Sequence, residues 1–117
     1  MRRADFYPLV ATEEELTLTY YARETGLTGI IVSAVPRGKR ILEQPYVRIA
    51  IGLGSNDFDA AVTISDYPNI LEGALPPSVG RRVFTFIQRN RDVLQALWNE
   101  AISAEEAAQS FRRGLKG

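Results

Sequence analysis

The chain has 117 residues, 45% of them apolar, and its 14 basic and 14 acidic side chains cancel. It contains no cysteine and no histidine. That excludes disulfides, thiolate nucleophiles, Ser-His-Asp machinery and the usual zinc, iron–sulfur and haem sites. Catalysis would have to run on Asp, Glu, Lys, Arg, Tyr, Ser or Thr.

The length corresponds to one domain, whose apolar content suffices for a single core without covalent staples. Residues 1–58 carry seven charges of each sign, and so do residues 59–117. A global nucleic-acid footprint would show a basic excess, so any electrostatic contact must be local. The segment Met1–Pro8 is charged and lacks an apolar core, so no secretory leader is expected. Apolar runs reach only about five residues, too short for a membrane span. A soluble, cytoplasmic protein is the expectation.

Two readings of residues 12–25 compete. Leu16, Leu18 and Tyr20 alternate with threonines, which predicts a strand over residues 16–22. Thr12 and Glu15 form a capping-box pattern that would instead open a helix. After Gly26 and Gly29, Ile30–Val35 is a β-branched run that predicts a buried strand. Pro36–Arg40 reads as a turn with a basic tip. Residues 46–53 predict a third strand, with Val47, Ile49 and Ile51 on one face, and Ala61–Ser65 a fourth. Gly54–Asp57 turns the chain between them, as in a hairpin. Residues 66–80, rich in proline and glycine, read as a crossover loop with a helical turn near Asn69–Glu72. Ser78 is the expected N-cap of a helix at the end of this loop.

From Val79 the period becomes helical. Val79, Val83, Phe86, Ile87, Leu94, Leu97 and Trp98 recur at spacings of three and four, predicting one amphipathic helix of about twenty residues. Ser103 and Glu106 cap a second, short helix with Ala107 and Phe111 on its inner face, and the last four residues are expected to fray. Strands first and helices last predict an α+β fold: a mainly antiparallel sheet of four strands, covered on one face by the helices.

Several groups can carry chemistry, each with a plainer structural role beside it. Gly52–Asp57 contains glycines as a phosphate loop does, but it leads into a strand and lacks Gly-Lys-Ser/Thr, so a hairpin turn accounts for it. Asp57, Asp59 and Asp66 offer carboxylates to a divalent cation, or serve as turn-forming aspartates. Arg37, Lys39 and Arg40 crown a turn and could grip phosphates, with Tyr46 as a stacking face; an ordinary solvated turn looks the same in sequence. Arg81, Arg82, Arg89 and Arg91 lie on the long helix. Arg82 and Arg89 are seven apart and share a face beside Arg81, either as a ridge for a partner's carboxylates or phosphates or as the wet side of the helix. Asn90 interrupts the apolar stripe and, if buried, needs hydrogen-bond partners. Trp98 closes the stripe, capping the core with its indole N–H on a carbonyl or anchoring a partner.

The stretch Phe86–Asn99, with its aromatic-isoleucine start, central Asn90, leucines and final Trp98, resembles the closing helix of small bacterial domains of unknown function found in toxin–antitoxin-like gene pairs. The resemblance covers about a quarter of the chain and implies architecture. It transfers no active site, and the N-terminal strands carry no histidine-containing sheet motif of the kind associated with that group.

Missing His and Cys, neutral charge and no convergent catalytic set together point to a non-enzymatic binding or regulatory protein acting through protein–protein contact. An antitoxin, a phage-encoded inhibitor or an adaptor would each fit, without cofactor, metal or membrane. Exposed strand edges and aromatic residues also invite a homo-oligomer. Two alternatives stay open: nucleic-acid binding through the basic tip and helix arginines, and Mg²⁺-dependent chemistry at the three aspartates.

Overall fold

The computed structural model describes residues 19–52 and 58–116. The fold is α+β. Strands β1 (Thr19–Tyr20), β2 (Ile30–Ser33), β3 (Tyr46–Ile51), β4 (Ala60–Thr63) and β5 (Ile70–Gly73) form one sheet in sequence order, every neighbouring pair antiparallel. A one-turn helix α1 (Ala22–Thr25) follows β1, and a 3₁₀ turn at Arg37–Lys39 forms the predicted basic tip. Helices α2 (Pro77–Arg89), α3 (Arg91–Trp98) and α4 (Ala104–Lys116) end the chain. No helix among the described residues is long and apolar enough to cross a membrane.

Register explains the core. Val32 lies opposite Ile49, Ile49 opposite Ala60, and Val47 opposite Val62. Because side chains alternate along a strand, these residues share the face that packs on Val83, Phe86, Ile87, Leu94, Leu97, Ala107 and Phe111. Val32, Ile49, Val62, Val83 and Ile87 are fully excluded from solvent, each stabilising the fold by about 1.5–3 kcal/mol relative to exposure. A second, smaller cluster of Val35, Tyr46 and Ala61, with Leu42, Leu71 and Trp98 against it, lies on the other face.

Several expectations are corrected. The first strand ends at Tyr20, and Tyr21–Ala22 leave the sheet, so residues 19–25 hold both a strand and a helical turn. The Thr12/Glu15 capping box and the Gly54–Asp57 turn lie outside the described residues. Asn69–Glu72 is not helical: Ile70–Gly73 is a fifth strand. Its pairing jumps from Ala61↔Glu72 to Val62↔Ile70, leaving Leu71 as a bulge. That bulge removes the two-residue alternation by which a strand is recognised. The second helix is not short, and it runs on to Lys116. Its predicted cap is present: Ser103 Oγ accepts the Glu106 N–H at 3.1 Å, and the Glu106 carboxylate accepts the Ser103 N–H at 2.8 Å. The preceding helix begins earlier than expected, with Pro76 rather than Ser78 at the N-cap. Pro77 then takes the first helical position, where its fixed φ and missing N–H carry no penalty.

The long helix is two. Asn90 sits at φ −115° and ψ 21°, ending α2 and opening α3. Its side-chain amide donates to the Phe86 carbonyl at 2.9 Å, the oxygen that also accepts its backbone N–H at 3.0 Å. The partner is thus its own helix. Asn90→Ala should lower unfolding free energy by about 1 kcal/mol and the melting temperature by about 4 °C. Unchanged thermal unfolding would show that this bond contributes nothing.

Helix α4 is clamped to the start of the sheet. Tyr20, 2% exposed, donates its hydroxyl to the Ala104 carbonyl at 3.0 Å and meets Phe111 edge-on at 5.2 Å. Burial first, and the nearby Glu24 carboxylate second, raise the Tyr20 hydroxyl well above its ordinary value of 10.0. The folded chain therefore holds this proton more tightly than the unfolded chain. The stabilisation is complete below the ordinary tyrosine range and is lost as pH rises through and beyond it. Wild-type stability should fall between about pH 9 and pH 11 more steeply than that of Tyr20→Phe; equal slopes in urea unfolding would contradict this.

Candidate functional site

The structure divides the predicted site residues between two places. Arg81, Arg82 and Arg89 come together on one groove of about 690 Å³. Arg40, Tyr46 and Trp98 line a separate cavity of about 370 Å³, and the two share no lining residue.

The groove is built from three chain segments. Helix α2 supplies one wall through Arg81, Arg82, Thr85 and Arg89. Residues 82, 85 and 89 follow the three-and-four spacing that places side chains on one helical face. The opposite wall comes from Thr25–Leu27 after α1 and from Gly114–Leu115 near the end of α4. Gly26 adopts φ +79°, and a Cβ there would stand 2.6 Å from Leu115 Cδ2. The glycine thus serves both as the left-handed cap of α1 and as the seat for Leu115. Phe86, Asn90 and Phe111 form the floor, the two rings 5.2 Å apart. Leu115 remains 54% exposed, which leaves an apolar surface beside the cations.

The wall between α1 and α4 is held by a buried carboxylate. Glu24 Oε1 accepts the Tyr21 N–H at 2.8 Å. Its Oε2 lies 2.9 Å from Arg23 Nε and 3.7 Å from Arg112 Nη1. Arg112 therefore ties α4 to α1 and stands apart from the groove's cations.

The three groove arginines differ in what they touch. Arg82 Nη2 donates to the Thr28 carbonyl at 3.2 Å. Among the described residues, no acidic side chain lies within ion-pair distance of Arg81, Arg82 or Arg89. The remaining helix arginine is otherwise engaged: Arg91 pairs with Asp66 at 2.7 Å and with Asp92 at 2.8 Å. A cluster of like charges costs free energy unless counter-charges are supplied. Here the described residues supply none.

The basic tip is organised differently. Arg37 Nε lies 3.5 Å from Glu100. Arg40 lays its guanidinium over the Trp98 ring, 3.6 Å from the centroid, and donates to the carbonyls of Val35 and Trp98. Lys39 ends the 3₁₀ turn and is exposed. Tyr46 is 1% exposed and packs on Trp98 at 5.3 Å, so it leaves no ring face open to a nucleobase. Trp98 is half-buried against both core clusters; its backbone carbonyl accepts from Arg40 Nη2, and the expected bond from its indole N–H to a carbonyl does not occur among the described residues.

Asp59 and Asp66 do not converge. Asp59 accepts the Ile51 N–H at 2.8 Å before β4, whereas Asp66 pairs with Arg91 beyond it. Asp57 lies outside the described residues. No group of three metal-ligating side chains occurs among the described residues.

Three residues of the groove carry no signal in sequence. Gly26, Leu27 and Leu115 reach it only through the packing of α4 on α1. The heptad spacing of Arg82 and Arg89 is the one part that sequence alone displays. Comparison of the chain with protein families, with characterised proteins and with solved structures finds no match.

Proposed function

We propose that the protein is a small non-enzymatic binding and regulatory module that holds an acidic segment of a partner protein along the arginine face of α2. The observation that carries this reading is the coincidence of Arg81, Arg82 and Arg89, unpaired by any described acidic residue, with the exposed apolar surface of Leu115, which lies against Gly26 on the opposite wall. Guanidinium groups favour carboxylates in planar, two-pronged geometry, and such contacts strengthen beside apolar surface. Arg82 and Arg89 are separated by two helical turns, about 10.5 Å of rise. A partner helix with acidic residues seven apart would match both.

The apolar surface and the zero net charge favour a protein over a nucleic acid. Phe86 and Phe111, the aromatic rings of the floor, are almost fully buried and offer no stacking platform. An antitoxin, inhibitor or adaptor would all use such a surface.

A labelled helical peptide with glutamates seven apart and a leucine between them is the direct probe, set against its lysine counterpart and a 20-nucleotide single strand. Saturable binding of the glutamate peptide alone is expected, weakening as salt rises. Preferential binding of the oligonucleotide would replace this reading with the nucleic-acid one.

A further inference from the structure

The second cavity, at the end of the sheet beneath α3, has the composition of a small-molecule site. Its walls are apolar and buried: Val47, Ile64, Leu94 and Leu97. Its volume of about 370 Å³ falls at the small end of the range for ligand pockets.

Arg40, Tyr46 and Glu100 are its polar side chains, and the first two have donors to spare. A guanidinium has five N–H donors in a fixed fork. Arg40 spends Nε on the Val35 carbonyl and one Nη2 hydrogen on the Trp98 carbonyl, and no carboxylate among the described residues pairs with it. Burial, followed by the nearby Arg37, pushes its pKa below the usual arginine value. This is the signature of a cation lacking full solvation. The Tyr46 hydroxyl accepts the Ile41 N–H at 3.3 Å, but its own proton has no acceptor among the described residues. A donor left unsatisfied in a residue this buried is uncommon and calls for a partner.

The rim is also unusual. Glu100 N–H bonds to the Leu97 carbonyl at 3.0 Å and Ala101 N–H to the Ala96 carbonyl at 2.8 Å. This is the Schellman arrangement, whose left-handed position normally belongs to glycine. Here Glu100 occupies it at φ 61°. Its carboxylate is turned to Arg37 at 3.5 Å and acts on Arg40 only as a nearby charge, so Arg40 makes no direct ion pair among the described residues.

We propose that this cavity binds a small monocarboxylic acid with an apolar body, its carboxylate held by Arg40 and the Tyr46 hydroxyl and its body among Val47, Ile64, Leu94 and Leu97. A neutral body suits the apolar walls, and a single negative charge suits one unpaired guanidinium. The site is independent of the arginine groove and of any partner held there.

Trp98 is the chain's single tryptophan and lines this cavity, so its emission reports occupancy directly. Octanoate and 3-phenylpropionate are the probes, titrated beside octanol and 3-phenylpropanol, which keep the body and lose the charge. The acids should change Trp98 emission saturably, and the alcohols should bind at least about tenfold more weakly. Tyr46→Phe should weaken the acids about tenfold and leave the alcohols unchanged. Arg40→Gln should remove the preference for acid over alcohol. Melting curves establish that each variant is folded, and Tyr46→Phe, which deletes one oxygen, decides the matter should Arg40→Gln unfold. No saturable change with either acid, or equal affinities for acid and alcohol, would overturn the proposal. Reversing the charge of Arg81 and Arg89 should leave octanoate binding intact, which separates this site from the groove.

Discussion

Gly73→Ala is expected to destabilise the protein by about 3 kcal/mol or more, the largest effect of a single-methyl addition in this fold. Gly73 ends β5 at φ +79°, in the left-handed region. A Cβ there would lie 2.0 Å from the Asp59 carbonyl oxygen and 2.9 Å from Ala60 Cα. Both are backbone atoms, so neither can swing aside as a side chain would. That same Asp59 oxygen accepts the Ala74 N–H at 3.1 Å, so displacing it breaks the last bond that holds β5 to β4. Gly29 provides the control: its φ is +77°, and nothing lies within 4 Å of a Cβ placed there. Gly29→Ala should therefore show only the backbone penalty, about 1–2 kcal/mol. Urea unfolding of the two variants separates steric clash from backbone strain. Equal losses would mean that β5 yields without cost.

The fate of β5 shows what a sequence can and cannot reveal. In β3, Val47, Ile49 and Ile51 alternate without interruption, so the strand is legible; Val47 and Ile49 are buried on its inward face, while Ile51 at its end is exposed. In β5, the Leu71 bulge breaks the alternation within four residues, and flanking prolines make the stretch read as loop. The helix break at Asn90 is hidden for a related reason. Hydrogen bonds from Asn90 N–H back to Phe86 and from Leu94 N–H back to Asn90 bridge the break. The apolar period therefore runs through from Phe86 to Trp98. The capping box at Ser103, by contrast, is local chemistry within four residues and is readable directly.

The candidate sites divide in the same way. Arg82 and Arg89 announce a shared helical face through their spacing alone. The wall opposite them depends on residues far away in the chain, brought close by α4 lying on α1. Arg40 and Trp98 are 58 residues apart, and their stacking leaves no local pattern. A basic turn in sequence thus becomes a guanidinium committed to an aromatic ring and two carbonyls. Of the basic groups singled out, Arg81, Arg82 and Arg89 form the exposed cluster without acidic partners among the described residues, whereas Arg40, also without one, is stacked on Trp98.

Reversing the charge of Arg81 and Arg89 together is expected to weaken binding of the acidic probe peptide by about a hundredfold or more, because attraction becomes repulsion at both ends of the ridge. The fold should be nearly indifferent, with stability unchanged within about 0.5 kcal/mol. Both side chains are exposed, and neither pairs with an acidic group among the described residues. Loss of binding with retained stability distinguishes a partner surface from a structural one. Fluorescence anisotropy of the labelled glutamate peptide, titrated with wild type and with the Arg81→Glu, Arg89→Glu double variant at low and at high salt, is the most direct test of the groove. The expected result is saturable, salt-sensitive binding by wild type and at least a hundredfold weaker binding by the double variant. Equal binding by the two proteins, or binding of the lysine peptide as tight as the glutamate one, would contradict the groove as the partner site.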